Sequence, residues 1–295
     1  MKNLYLIALL LSAFALKMNA QPEDLLAELG VDKTTDYISN AFKSPYVINS
    51  KSMEMLPRGV LDFRILHRFG PMSGGGYELF GLDQASMRLG FDYGVTKNLT
   101  LGVGRSNNKK EIDGYFKYRI LWQSKGARVM PISLVWASGV TLNGLKVPTA
   151  GVEATFTRRL AYYHELIIGR KFSDKFSLQF APMLLHQNIT ESIVDPNDLF
   201  CLGLGTRYKF TKRMAVTLDY YYTFNKFNNR PDHAPLSLGI DIETGGHVFQ
   251  LHFSNATGMN ERAFIQDENG SWLKGEVRFG FNLSRWFQLV KTKVY

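Results

Sequence analysis

Residues 200–223 read Phe-Cys-Leu-Gly-Leu-Gly-Thr-Arg-Tyr-Lys-Phe-Thr-Lys-Arg-Met-Ala-Val-Thr-Leu-Asp-Tyr-Tyr-Tyr-Thr, and this stretch decides the fold class. Phe200, Leu202, Leu204, Tyr208 and Phe210 fall on one side of an extended chain, opposite Cys201, Gly203, Gly205, Arg207 and Lys209. After the polar turn Thr211-Lys212-Arg213 the alternation resumes, with Val216, Leu218, Tyr220 and Tyr222 opposing Thr217, Asp219, Tyr221 and Thr223. Successive side chains of a strand point to opposite faces, so each arm has one apolar face and one face of glycine, hydroxyl and charge. Each arm is about 10 residues long, the length of a tilted strand that crosses a bilayer. The pair reads as a hairpin with lipid on one side and a polar lumen on the other.

The same pattern recurs on both sides of this hairpin. Leu61, Phe63, Ile65 and Phe69 oppose Asp62, Arg64 and Arg68, and Met87 to Val95 opposes Arg88 and Asp92 in the same way. Phe116, Tyr118, Ile120 and Trp122 oppose Tyr115, Lys117 and Arg119. Leu236 to Ile242 oppose Ser237, Gly239, Asp241 and Glu243, and Phe249, Leu251 and Phe253 oppose Gln250, His252 and Ser254. Val277, Phe279, Phe281 and Leu283 oppose Glu276, Arg278, Gly280, Asn282 and Ser284. Segments near 99–106, 130–140, 155–170 and 175–187 are strand-like, with their faces left open. Together these predict about twelve strands, an all-β, up-and-down antiparallel transmembrane β-barrel over residues 57–287 with a tail at 288–295.

Connection lengths give an independent argument. Short links at Thr96–Asn98, Gln123–Arg128, Lys171–Lys175, Thr211–Arg213 and Glu243–Gly246 alternate with longer ones, as in outer-membrane barrels with short periplasmic turns and long outer loops. Tyr93, Trp122, Phe172, Phe210 and Trp286 are expected at one water interface as an aromatic girdle. Composition agrees: 21 Phe, 14 Tyr, 4 Trp and 26 Gly in 295 residues favour strands, and one cysteine excludes an internal disulfide or a multi-cysteine metal site.

Residues 1–20 form a secretory signal peptide, with Lys2, an apolar run from Leu4 to Leu16 and cleavage near Ala20. The expected location is the outer membrane of a Gram-negative bacterium. Residues 21–56 lack the strand period. They open with a short helix at Pro22–Gly30 and read as a periplasmic extension or lumen plug, with a possible periplasmic partner.

The inward charges are the candidate functional residues: Asp62, Arg64, Arg68, Arg88, Asp92, Lys117, Arg119, Arg207, Lys209, Asp219, Asp241, His252, Glu276 and Arg278, with Glu243 beside them. Near-balance of the two signs predicts ion pairs filling a narrow lumen, with Arg64, Arg88, Arg119 and Arg207 neutralised by Asp62, Asp92, Asp219 and Asp241; the same arginines left free would make an anion-preferring pore. The formal charge of +9 fits contact with outer-membrane lipid and lipopolysaccharide, and nucleic acid is not an expected partner. Gly102-Val103-Gly104 and Gly203-Leu204-Gly205 lack the spacing of a phosphate loop; they leave room for long neighbours, so Gly203 or Gly239 to Ser is expected to be mild. No histidine pair has metal spacing, and no metal or cofactor is expected. His252 with Ser254 is the one pair that a lipid hydrolase could use, and it lacks a third member. A soluble secreted β-sandwich is the remaining alternative.

Gly59-Val60-Leu61-Asp62-Phe63-Arg64, Glu78-Leu79-Phe80-Gly81-Leu82-Asp83, Gly114-Tyr115-Phe116-Lys117-Tyr118-Arg119, Asp195-Pro196-Asn197-Asp198 and Glu243 to Leu251 carry a resemblance. Over residues 40–287 the chain resembles a Bacteroidetes domain-of-unknown-function family described as outer-membrane barrels. The resemblance implies that fold and location. It brings no substrate and no catalytic residue.

Overall fold

The structure is a computed structural model and describes residues 34–146, 155–190, 194–225, 227, 233–244, 247–267 and 269–290. The expected signal peptide and the expected helix at Pro22–Gly30 lie outside the described residues. The strands are β1 (Thr35–Tyr37), β2 (Val60–Pro71), β3 (Ala85–Thr96), β4 (Leu99–Ser106), β5 (Ile112–Leu121), β6 (Ser124–Gly126) and β7 (Ser133–Leu142). They continue with β8 (Leu160–Lys171), β9 (Phe176–Gln187), β10 (Asp198–Lys209), β11 (Met214–Thr223), β12 (Leu236–Thr244), β13 (His247–Ser254) and β14 (Arg278–Gln288). One short helix, α1 (Glu261–Gln266), precedes β14, with the Asn260 side chain accepting from the Ala263 N–H as its N-cap.

Twelve strands, β2–β5 and β7–β14, close into one antiparallel barrel in chain order. Closure is made by β14 on β2, with Leu283 opposite Ile65 and Phe287 opposite Leu61. A single closed sheet excludes the two-sheet sandwich. Four tight connections, the longer 122–132 link that carries β6 in place of the expected short link at Gln123–Arg128, and both ends of the barrel sequence, Val60 and Gln288, lie at one end, called here the turn end; the short 107–111 link and five longer connections lie at the other, the loop end. At the turn end β1 pairs with β6 outside the barrel, Asp36 opposite Lys125. The last strand runs to Gln288, one residue beyond the expected boundary, and begins only at Arg278, so Glu276 belongs to the preceding loop and not to the strand face assigned to it.

Burial follows the alternation. Along β2 every second residue from Val60 is buried, which puts Asp62, Arg64, Leu66 and Arg68 inside and Leu61, Phe63, Ile65 and His67 outside. Outward aromatic side chains pack across strands, Phe63 on Phe91 at 5.1 Å and Phe116 on Trp136 at 4.8 Å between ring centroids. Among the described residues no helix is long and apolar enough to cross a membrane; the apolar wall is made by strands.

Glycine inside the barrel is there because large side chains lie across it. A Cβ on Gly104 would meet the Arg88 guanidinium at 2.1 Å, and one on Gly203 would meet the Tyr221 ring at 2.5 Å. The expectation that Gly203 to Ser is mild is therefore corrected.

An arginine in place of Leu204 or Leu238, which point outward, is expected to cost about 2–4 kcal/mol near the bilayer midplane. Gly203→Ser is expected to cost about 1–3 kcal/mol by overpacking, whereas Gly275→Ser in the loop, where nothing lies within 4 Å but φ is +70°, pays only backbone strain. Equilibrium unfolding in lipid checks the order, and an unperturbed Leu238→Arg barrel would reverse the facing.

Candidate functional site

The interior of the barrel is filled by the chain that precedes it. Ala41, Phe42, Tyr46, Val47, Ile48, Met53 and Leu56 are buried, although a strand-free segment of this composition has no sheet of its own. Residues 45–52 fold back on themselves: the Val47 N–H donates to the Ser50 carbonyl at 2.9 Å and the Ser52 N–H to the Pro45 carbonyl at 2.9 Å. This hairpin enters from the turn end, reaches the middle of the barrel at Ile48–Ser50 and returns to feed β2.

Its backbone polar groups need partners in a water-poor interior, and the inward side chains supply them. The Asp219 carboxylate accepts from the N–H groups of Ile48, Asn49 and Ser50 at 3.2, 2.8 and 2.9 Å, and from the Ser50 hydroxyl at 2.8 Å. Successive N–H groups converging on one oxygen form an anion-binding nest, and a carboxylate of the wall occupies it. Lys117 donates to the carbonyls of Pro45 and Ser52 at 3.2 and 3.1 Å and to that of Glu54. Arg119 donates to the Met53 carbonyl at 3.1 Å and stacks 4.1 Å from the Trp122 ring. Gln179 clamps the returning arm, accepting from Met53 N–H at 2.9 Å and donating to the Lys51 carbonyl at 2.8 Å. Asn282 donates to the Ile48 carbonyl at 3.0 Å, and Arg68 donates to the side-chain oxygens of Asn49 at 2.5 Å and of Asn282 at 3.1 Å.

The expected arginine–aspartate pairing is thus only partly what the geometry presents. Arg64 lies 3.3 Å from Asp62 and also donates to Ser44 at 2.6 Å, while Arg207 lies 3.5 Å from Asp241 and 2.8 Å from Glu243. Arg88 takes Asp113, with its Nε donating at 2.8 Å, and not Asp92. Asp92 instead accepts a long 3.5 Å bond from the Tyr46 hydroxyl. Arg119 and Asp219 serve the hairpin backbone, because one faces carbonyls and the other faces N–H groups.

The remaining candidates are dispersed. Lys209, with Arg207, Lys43 and Glu243, lines a cavity of about 280 Å³ at the turn-end mouth. Arg278 donates to the Asn255 carbonyl at 3.0 Å, and Glu276 accepts from the Ser271 N–H at 2.8 Å within the loop. His252 is buried inside the barrel, and the Ser254 hydroxyl is bonded to Ser237 at 2.7 Å, so these two do not form a nucleophile–base pair.

Sequence reading missed three features. Asp113 shares the parity of Tyr115 and Lys117, so the alternation already marked it. Glu165 and Gln179 lie in segments whose faces were left open; Glu165 accepts from the Tyr221 hydroxyl inside the barrel. Outward on the wall, Ser138 and His164 face each other across β7 and β8 with Oγ and Nδ1 2.9 Å apart.

From the loop end α1 descends into the same interior. Glu261 meets Lys51 of the hairpin at 2.9 Å, and Lys51 in turn lies 4.1 and 4.0 Å from the Tyr46 and Tyr115 rings. Above it Arg262 bridges Glu111 and Asp267, with Lys109 2.8 Å from Asp267. Burial raises the Glu111 carboxyl; for Asp267 burial acts the same way, but Arg262 and Lys109 outweigh it and hold that carboxyl below its usual range.

Fold and interior define a membrane-bound β-barrel whose lumen is occupied by its own chain. Residues 42–287 match the family described as a membrane-bound beta barrel domain (DUF5777), and the chain belongs to that family. The sequence matches no curated protein. Among solved structures the chain is similar to the NanC porin, with 8% identity, 76% of this chain and 98% of that one covered and a TM-score of 0.50. It is similar also to the KdgM porin, with 8% identity, coverage of 77% and 98% and a TM-score of 0.44. The outer membrane phospholipase A from Escherichia coli aligns with 10% identity, coverage of 83% and 93% and a TM-score of 0.45.

Asp219→Ala removes the acceptor of four hydrogen bonds at once and is expected to destabilise the barrel by about 3 kcal/mol or more. Asp92→Asn, which keeps an acceptor oxygen for the Tyr46 and Tyr115 hydroxyls, is expected to cost about 1 kcal/mol or less. Heat-induced unfolding in detergent compares the two, and equal losses would remove the special place of Asp219.

Proposed function

We propose that the protein is an outer-membrane barrel that works closed, as a binding or scaffold protein with partners at its two faces. The observation that carries this reading is the hairpin at 45–52, bonded through its backbone to Asp219, Lys117, Gln179 and Asn282 in mid-barrel. The outer membrane is supported by the closed antiparallel barrel, with four of the five turn-end connections tight and five of the six loop-end connections long, and by its outward apolar wall. In this reading the turn end is periplasmic, and residues 21–56, whose described part emerges there, offer an attachment for a periplasmic partner. The loop end meets lipopolysaccharide, whose anionic groups suit exposed basic residues such as Lys110, Arg158 and Lys274.

The second reading, a lipid hydrolase, is favoured by one observation, the Ser138–His164 contact on the lipid-facing wall. It stays second because, among the described residues, no carboxylate or amide bonds to His164 to orient the imidazole.

In planar bilayers the purified mature chain is expected to conduct little, and removal of residues 34–56 to raise conductance severalfold, with Asp219→Ala giving intermittent openings. A large, stable, anion-selective conductance from the intact chain would overturn the closed reading in favour of a channel. On intact cells a tag inserted between Asn225 and Pro235 is expected to label, and one at Thr211–Arg213 is not; the reverse pattern would invert the assigned orientation.

A further inference from the structure

Near its turn-end terminus strand β5 shifts register against β7 between Arg119 and Leu121. β5 ends at Leu121, so Ile120 and Trp122 lie at the turn-end rim, where with Tyr37, Lys97, Arg128 and Met130 they surround a cavity of about 200 Å³. Its basic lining residues are Lys97, Arg119 and Arg128, and no carboxylate lines it. Arg119 is engaged with the Met53 carbonyl and the Trp122 ring. Lys97 and Arg128 make no ion pair among the described residues. In the other rim cavity, by contrast, Lys43 and Arg207 lie beside Glu243, and Lys171 lies beside Asp174.

The aromatic side of the cavity is held in place: Tyr37 and Trp122 pack at 4.8 Å, and the Trp122 indole N–H donates to the Ile38 carbonyl at 2.7 Å. Below it the outward side chains Tyr118 and Ile120 continue the apolar wall. Two further cation–aromatic pairs lie toward the turn-end termini of β8 and β14. The Arg170 guanidinium lies 5.3 Å from the Phe172 ring, and that of Arg285 lies 5.0 Å from the Phe287 ring. Arginine and lysine that reach past aromatic rings at the edge of an apolar belt sit at the depth of lipid phosphates.

We propose that this cavity binds the headgroup of an anionic phospholipid in the leaflet at the turn end. Lys97 and Arg128 take the phosphate, Tyr37 and Trp122 flank the glycerol, and the acyl chains run down Tyr118 and Ile120. A free phosphate has no use for the apolar part of the lining, Ile120 and Met130, whereas a lipid does. The proposal rests only on the membrane-bound barrel and is independent of whether the lumen is closed.

The test is binding of fluorescent phosphatidylglycerol to the mature chain in zwitterionic detergent, with unlabelled phosphatidylglycerol, phosphatidylcholine and inorganic phosphate as competitors. Phosphatidylglycerol is expected to compete at least about tenfold better than phosphatidylcholine, and Lys97→Gln with Arg128→Gln to weaken it by on the order of tenfold or more. Lys97→Arg with Arg128→Lys is expected to retain binding, and Lys212→Gln with Arg213→Gln, in a separate turn, to leave it unchanged. Asn98→Asp, which adds a carboxylate to the lining, gives a second route to the same loss if the double variant does not fold. Equal competition by phosphatidylcholine, or wild-type binding by both the neutralised variant and Asn98→Asp, would overturn the site. Displacement by inorganic phosphate as effective as by the lipid would make it a site for soluble phosphate and overturn the lipid assignment.

Discussion

Asp219 stands halfway along β11 with a carboxylate that faces the interior and is answered by backbone, through Ile48, Asn49 and Ser50. The contact solves two problems that neither partner could solve alone. A hairpin without a sheet exposes N–H groups that water would otherwise satisfy, and a charge on the inner wall of a barrel has lost most of its hydration. Put together, the nest stabilises the charge and the charge fixes the hairpin tip. The other contacts fall into register around that point: once Asn49 is held, its side chain is within reach of Arg68, and the returning arm lies along Gln179 and Lys117.

The division of labour inside the barrel follows from the polarity of a peptide. Cationic side chains can only donate, so Lys117 and Arg119 go to carbonyls of the hairpin arms; a carboxylate can only accept, so Asp219 goes to the tip where N–H groups converge. Amide side chains do both, which is why Gln179 can hold one residue's N–H and another's carbonyl. Twelve strands enclose more space than their own side chains fill, and the hairpin from one end and α1 from the other take up the remainder. Lys51 and Glu261 join the two, far apart in sequence and 2.9 Å apart in space. The polar contacts of the interior thus run beside an apolar cluster that includes Phe42, Met53, Ile167, Leu185 and Phe264.

How much of this was legible beforehand depends on which physical rule governs each part. The wall obeys a rule of period two that any single strand displays, so Leu61, Phe63 and Ile65 reveal their face without knowledge of a neighbour. The closing strand was harder, because Glu276 keeps the parity of Arg278 although the loop ends only at Val277. Partner choice inside the barrel was legible only in part: Arg64 with Asp62 and Arg207 with Asp241 were expected and are found, but the partners of Arg88, Arg119 and Asp219 were not. Whether Arg88 finds Asp92 on its own strand or Asp113 two strands away depends on stagger, and stagger is a property of the closed sheet. For residues 45–52, within the segment read as a periplasmic extension or lumen plug, the particular contacts were hidden for a further reason: most of them run through backbone atoms, which every residue carries alike, so no side-chain pattern announces them.

The same basic residues therefore do different work according to which side of the wall they occupy. Inside, Lys117 is held by three carbonyls and Arg207 by two carboxylates, so these charges are engaged with the hairpin and the wall. On the rim, Arg170 and Arg285 lie over aromatic rings, where the charge stays available to the medium beside the barrel. A formal charge of +9 averaged over the chain conceals this separation. An interior whose charges are answered by backbone dipoles and carboxylates gives a passing anion little field to follow, whereas in the proposed lipid contact the rim arginines Arg170 and Arg285, which make no ion pair among the described residues, face the phosphate layer. On the reading proposed above, the excess of positive charge acts at the membrane surface and not in a conducting path.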